Sequence, residues 1–168
     1  MVVDTTCPLL TLDMPMSVLG LDLGQRRIGL AIAERSGLGA RPLVTLVRTS
    51  SSADLEALRA IVADWRVERI VLGLPLNMNG SEGPAARHAR EFARQLDQTL
   101  GVPVDLHDER LTTFEARSRL KGLSGRRGSR KLMIDQVAAA LILEGWLAEH
   151  AAANEGSTSG VVRPAKSE

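Results

Sequence analysis

Four acidic residues stand where a carboxylate is costly to bury or where strands and helices end. Asp22 interrupts the apolar run VLGLDL, which otherwise suits the core of a sheet. Asp108 and Glu109 end a short apolar segment, and Asp135 lies near the start of a long Ala-rich helical segment. Carboxylates that are brought together repel one another unless a divalent cation neutralises them. These residues therefore predict a Mg²⁺ site, with Mn²⁺ as the alternative metal.

Such a site could cleave a phosphodiester, because two ions about 3.5–4 Å apart can bind both the attacking and the leaving oxygen. A purely structural alternative stays open, in which Asp22 caps a turn and Asp135 stabilises a helix N-terminus. Adjacent residues of a strand face opposite sides, so only one of Asp108 and Glu109 can point at the site. The pattern D-x-G-x-x-x-x-G from Asp22 to Gly29 also places a carboxylate beside backbone N–H groups, which suits a bound phosphate.

A cationic stretch follows the short apolar segment that ends at Asp108 and Glu109. From Glu109 to Lys131 there are eight basic and two acidic residues, a net charge of +6. Its segment 120–131 contains three glycines and no apolar periodicity, which predicts a mobile loop. Such a loop suits a phosphate backbone, although a solvated surface loop is the alternative. The residues that we expect to bind nucleic acid are Arg110, Arg126, Arg127, Arg130 and Lys131.

Five predicted strands position these residues. Three form an antiparallel meander, and two later ones alternate with helices as parallel strands do. Their predicted bounds are Ser17–Leu23, Ile28–Ala33, Leu43–Val47, Arg69–Leu74 and Val104–Asp108. In the second strand, Gly29, Ala31 and Ala33 share one face, so a helix can approach it closely. The fold class is α/β, with a mixed five-stranded sheet flanked by helices.

Helix signals separate and follow these strands. Ser51–x–x–Asp54 predicts an N-cap, and Pro84 and Gly101 predict the start and the stop of a second helix. Thr112–x–x–Glu115 is a capping box for a helix to about Lys121. The longest predicted helix covers Lys131–His150.

The composition limits the class of protein. The 168 residues are 44% hydrophobic and 24% charged, which fits one domain at 17–150 between a flexible tail at 1–16 and a disordered tail at 151–168. The net charge of +1 excludes a globally basic nucleic-acid coat, and 2% aromatic residues argue against a base-stacking platform. A lone Cys7 excludes a disulfide framework. No apolar run is long enough for a membrane span, so a cytoplasmic location with no membrane partner is expected.

Four motifs, in this order, resemble the YqgF/RuvX family of pre-16S rRNA nucleases, also described as Holliday-junction-resolvase-like proteins. They are GLDLGQRRIGLA (20–31), VLGLPLNMNGSEGPAARHAREFA (71–93), DERLTT (108–113) and DQVAAALIL (135–143), and the resemblance covers about 17–148. It implies a ribonuclease H-like fold. It also implies that Asp22, Glu109 and Asp135 are the catalytic and metal-binding acids, and it favours Glu109 over Asp108. Asn79 departs from the family pattern, where an Asp is expected.

The expected function is that of a Mg²⁺-dependent endonuclease acting on structured RNA, at the 5′ end of the 16S rRNA precursor in ribosome biogenesis. The expected partners are this rRNA precursor and the pre-ribosomal particle, and the expected oligomeric state is a monomer or a weak homodimer. Cleavage of branched DNA, as by a Holliday-junction resolvase, is one alternative. A catalytically weak nucleic-acid-binding or assembly module is another. An ATP binder of the sugar-kinase/actin type shares the glycine turn but normally needs two such lobes.

Overall fold

A computed structural model of the protein describes residues 17–34, 39–110, 118 and 127–156. The strands are β1 (Ser17–Leu23), β2 (Arg27–Glu34), β3 (Arg41–Val47), β4 (Arg69–Leu74) and β5 (Val104–Asp108). The helices are α1 (Ser51–Asp64), α2 (Pro84–Leu100) and α3 (Arg127–Gly156). Apart from residue 118, which is helical, the predicted capping-box helix lies outside the described residues, as do the segment 1–16 and Arg126.

The five strands form one mixed sheet in the order β3-β2-β1-β4-β5. β2 is antiparallel to both β1 and β3, whereas β4 is parallel to β1 and β5 is parallel to β4. The predicted meander followed by two parallel strands is therefore confirmed. Because β1, β4 and β5 run in the same direction, their C-terminal ends meet at one edge of the sheet.

Alternation along the strands divides the apolar residues between two layers. Leu19 and Leu21 of β1 pack with α1 and α2 on one face, in a core that includes Leu58 and Phe92. The opposite face is covered by α3, and its core is built mainly from small and branched residues. The members of this second core include Val18, Ala31, Ala33, Val71, Ala139, Ile142, Leu143 and Trp146.

The small-residue face of β2 is the surface on which α3 packs, as the sequence predicted. A Cβ on Gly29 would overlap the backbone oxygen of Asp135, and a Cβ on Gly20 would lie 2.8 Å from the backbone oxygen of Ala139. Both glycines are thus required by the close approach of the helix backbone to the sheet. This approach also brings Asp135 next to the register pair Asp22 and Gly29.

Three helix boundaries differ from the predicted ones, one in α1 and two in α3. The N-cap of α1 is Ser50, whose hydroxyl accepts from the Ala53 N–H at 3.2 Å, and not Ser51. Helix α3 begins at Arg127, so residues 127–130, which precede the predicted helix start at Lys131, are helical where a loop was expected. The helix continues to Gly156, beyond His150. Extension of a helix that is already packed adds one hydrogen bond per residue, which outweighs the weak helix propensity of a single glycine such as Gly128.

The limits of the domain and its tails stay predictions. Over the part of the chain described above, the model contains no helix with the length and apolarity needed to cross a bilayer.

Candidate active site

Asp22 and Glu109 lie at the shared C-terminal edge of the parallel strands, on the face that α3 covers. Val18 and Gly20, which precede Asp22 at alternate positions of β1, both contact α3. On β5, His107 lies against Gly145 of α3, and Glu109 follows two residues later. Strand alternation therefore directs both carboxylates to the same side of the sheet.

The neighbouring carboxylate, Asp108, has a different environment. It accepts hydrogen bonds from the backbone N–H and the Nε of Arg110, at 3.0 and 2.7 Å. Glu109 instead lies over Gly73, where a Cβ would overlap the Glu109 carboxylate. The structure thus places Glu109 beside Asp22, while its role in catalysis stays a prediction.

Both carboxylates titrate abnormally. Burial, followed by the charge of Asp135, raises the pKa of Asp22 to about 6. Burial, followed by the charges of Asp22 and Asp108, raises the pKa of Glu109 to about 8. The ionised forms are thus disfavoured both by lost hydration and by mutual repulsion. A pair of this kind would gain stability from any cation that replaces the lost water.

Asp135 approaches the pair from the third turn of α3, but it is engaged elsewhere. Its Oδ2 forms an ion pair with the Nε of Arg27, and about a fifth of each side chain is exposed. Among the residues that the structure describes, no three acidic, histidine or cysteine side chains are gathered closely enough to bind one metal ion. The predicted convergence of three carboxylates is therefore incomplete here, because the Arg27 guanidinium holds the third.

The glycine turn after β1 is closed by its own backbone. The Gly24 N–H donates to the Arg27 carbonyl at 2.9 Å, and the Gly24 carbonyl accepts from Arg48 Nη1 at 3.0 Å. The Gly24 N–H is thus used within the turn, whereas the expectation that this turn suits a bound phosphate stays a prediction. The turn instead fixes the direction of Asp22 and Arg27 on either side of it.

The loop after β4 also satisfies its polar groups internally. Asn79 Oδ1 accepts from the backbone N–H and the hydroxyl of Ser81, at 3.0 and 2.6 Å. Asn77 Nδ2 in turn donates to the Ser81 hydroxyl at 2.9 Å. In this conformation Asn79 orders the loop and is not directed at the carboxylates.

Of the five predicted nucleic-acid-binding residues, two have described side chains. Arg110 is exposed and pairs with Asp108, and Lys131 is exposed in the second turn of α3. The backbones of Arg127 and Arg130 lie in α3, but their side chains are outside the described part of the structure. The contact of all five with nucleic acid stays a prediction.

The local sequence around Arg27 does not indicate that this residue pairs with Asp135. These residues are 108 positions apart, and their pairing depends on the packing of α3 across Gly29. The available signal was the glycine itself, because a strand position without a Cβ marks the point of closest helix approach.

Comparison with solved structures defines the class of protein. RuvC of T. thermophilus, solved in complex with a Holliday junction substrate, superposes with a TM-score of 0.51 at 20% identity, over 85% of this chain and 97% of that one. The fold is therefore the RuvC-like form of the ribonuclease H fold.

The family follows from sequence. A family model described as "RuvX: Holliday junction resolvase" matches residues 16–149. The chain is 52% identical over 134 residues to a protein of Anaeromyxobacter sp. (strain K), covering 79% of this chain and 96% of that one. It is 50% identical over 135 residues to a protein of Myxococcus xanthus (strain DK1622), covering 80% and 89%. Both relatives bear the name "Putative pre-16S rRNA nuclease". The chain belongs to the RuvX family.

Proposed function

We propose that the protein is a divalent-metal-dependent endonuclease that processes the 5′ end of the 16S rRNA precursor. The observation that carries the proposal is the pair of half-buried carboxylates, Asp22 and Glu109, which lie together at the C-terminal edge of the sheet and whose pKa values are raised to about 6 and about 8. Two carboxylates that lie close together in a partly buried site suit the chemistry of a cation and a phosphate.

The donor set suits a hard cation. Mg²⁺ and Mn²⁺ prefer carboxylate oxygens, and both Asp22 and Glu109 supply them from rigid strands or strand ends. Nucleases of the RuvC-like class generally use divalent metals, and the metal would supply an activated water and stabilise the departing 3′ oxygen. Asp22 and Glu109 would hold it, and Asp135 would join them by exchanging its Arg27 partner for the metal.

The chain's own residues have three tasks in this function. The two half-buried carboxylates create a site from which water is partly excluded, so that a bound cation interacts strongly with them. Arg27 holds the Asp135 carboxylate next to Asp22 through their ion pair. The basic residues, which include Arg110 and Lys131, would hold the phosphate backbone without reading its sequence.

The name shared by the curated relatives supports the rRNA precursor as substrate, and the description of the family model supports a four-way DNA junction. Both substrates present the same phosphodiester to the same carboxylates. We favour the rRNA precursor because the curated relatives that share half of this sequence bear that name.

The test is cleavage of three substrates by purified protein with Mg²⁺, Mn²⁺ or EDTA. The substrates are a 5′-extended 16S precursor, a four-way DNA junction and an unstructured RNA. We expect cleavage of the precursor only, dependent on the metal, and a loss of about a hundredfold or more in Asp22→Asn. Asp97→Asn, an exposed carboxylate of α2, is the matched control.

Cleavage of the junction alone would replace the proposed substrate by branched DNA. Wild-type rates in Asp22→Asn would remove the carboxylate site from the mechanism altogether. Binding of the precursor without cleavage under any metal would identify the protein as a binding module of the same fold.

A further inference from the structure

A groove lies next to the candidate active site, between the β2–β3 edge of the sheet and the start of α3. Its volume is about 330 Å³, and its lining is formed by Arg26, Arg27, Val47, Lys131 and Leu132. The hydroxyl of Thr45 donates to the Leu132 carbonyl at 2.9 Å, which fixes the beginning of α3 against β3. The groove is therefore part of the rigid frame of the fold. Arg27, which forms one wall, also binds Asp135 of the carboxylate site.

The floor of the groove is apolar and open to solvent. Val47 is 69% exposed and Leu132 is 38% exposed, and the two side chains line the same depression. Single exposed apolar residues are common on protein surfaces and need no explanation. Two that line one concave surface beside a functional site are a more specific feature, because concave apolar surfaces with a few polar groups are typical of ligand sites.

The rim of the groove is cationic. Arg26 and Lys131 are both exposed, and no carboxylate within the described part of the chain pairs with either of them. Arg27 is the exception, since it is bound to Asp135. The groove thus presents two available positive charges around an apolar floor, and this combination complements a ligand with both a phosphate and an apolar surface.

We infer that this groove binds one unpaired nucleotide of the substrate strand, immediately beside the bond that the carboxylate site cleaves. Arg26 and Lys131 contact its flanking phosphates, and Val47 and Leu132 contact its base or ribose. This inference rests on the proposed nuclease function and assigns that function an unpaired segment at the cleavage point.

An unpaired strand fits these observations better than a duplex does. In a duplex the apolar faces of the bases are stacked inside, so the protein meets mainly phosphates and sugars. An apolar floor would then remain in contact with water or with charged groups. An unpaired nucleotide exposes a base face that can lie on aliphatic side chains, while its phosphates reach the cations. A volume of about 330 Å³ is at the small end of ligand pockets, which run from about 300 to 1,000 Å³, and suits one such unit.

The test measures RNA binding in EDTA, so that metal-dependent cleavage does not alter the substrate during the titration. A fluorescein-labelled single-stranded RNA and a hairpin duplex of the same composition are titrated with wild type, Val47→Ser and Arg26→Ala. The control for Val47 is Val44→Ser, because Val44 is exposed on the same strand but faces the other side of the sheet. Its register partner Leu30 has its side chain in the α1/α2 core. The control for Arg26 is Arg94→Ala, an exposed cation of α2.

We expect Val47→Ser to weaken single-strand binding about five- to tenfold and duplex binding less than twofold, since the lost contact is apolar. Arg26→Ala should weaken both and should lower the log–log salt slope for the single strand by about 0.7, the value for one phosphate contact. The two controls should bind as wild type does.

Equal single-strand affinities of Val47→Ser and Val44→Ser would overturn the inference. It would also be overturned if Val47→Ser lost affinity for the single strand and for the duplex by the same factor. Sedimentation of wild type and Val47→Ser at micromolar concentration tests whether a second copy of this chain occupies the groove instead. A dimer that Val47→Ser dissociates would assign the groove to a second copy of this chain. Failure of the proposed function is separate, because it would appear as absent cleavage in the metal-containing assay while the single-strand preference in EDTA persisted.

Discussion

Replacement of Glu109 by Gln should stabilise the metal-free protein at neutral and alkaline pH. The side chain is half-buried, and its pKa is raised from 4.5 to about 8 in the folded state. A folded-state pKa above the unfolded value means that the folded protein binds more protons between these two pH values. The free energy of unfolding therefore falls as the pH rises from about 4.5 to about 8.

The size of this effect follows from the shift. Each pKa unit corresponds to about 1.4 kcal/mol, so ionisation of Glu109 costs the folded protein about 3 kcal/mol at pH 7. Ionisation of Asp22 also costs the folded protein free energy. Because adding the two costs would count the repulsion between Asp22 and Glu109 twice, we use the Glu109 value alone. Gln has nearly the same shape and no charge, so the variant should avoid this cost. In a domain of this size, about 3 kcal/mol corresponds to roughly 10 °C in melting temperature.

The assay is urea or thermal unfolding in EDTA at pH 5, 6, 7 and 8. Wild type should lose stability steadily over this range, and Glu109→Gln should show a much flatter profile, with the largest difference from wild type at pH 8. Asp108→Asn is the matched control, since that carboxylate is paired with Arg110 and is partly exposed. Addition of Mg²⁺ at pH 8 should raise the stability of wild type and have little effect on Glu109→Gln, because a ligand that binds only the folded state stabilises it.

Parallel pH profiles for wild type and Glu109→Gln would refute this reasoning. The Glu109 carboxylate would then be hydrated in the folded protein, and the electrostatic basis for a cation at this site would be lost. A stabilisation of Asp108→Asn in place of Glu109→Gln would show that the wrong member of the pair had been assigned to the site.

Three further predictions concern the frame of the site. Gly29→Ala should destabilise the protein by about 2 kcal/mol or more, since the added methyl overlaps the backbone of Asp135, and urea unfolding measures this loss. Asp54→Asn should lower the free energy of unfolding by about 3 kcal/mol, because it leaves the largely buried Arg48 guanidinium without the carboxylate that it contacts at 2.8 Å. An unchanged midpoint in thermal unfolding would show that this ion pair is dispensable. Arg27→Gln should lower stability in EDTA, and a double-mutant cycle with Asp135→Asn should give a coupling of about 1 kcal/mol or more, whereas additive effects would contradict the ion pair.

The sequence by itself determined the elements and their faces. The apolar runs of β1 and β4 coincide with their predicted bounds, because a strand buried on both sides leaves a local, uninterrupted signal. The small-residue face of β2 identified the surface on which a helix packs, since side-chain size is also a local property. The acidic residues within these elements could be recognised as costly, and the family motifs assigned three of them a role that the experiments above are designed to test.

Only the tertiary structure decided which charges meet. Local periodicity contains no information on whether Asp135 faces Asp22 or Arg27, because that choice depends on how closely α3 approaches Gly29. The start of α3 at Arg127 could likewise not be predicted from the local sequence, since a glycine-containing segment becomes helical when the helix that follows is packed on a sheet. The groove whose floor is formed by Val47 and Leu132 joins residues from a strand edge and a distant helix, and such a surface exists only after both have packed.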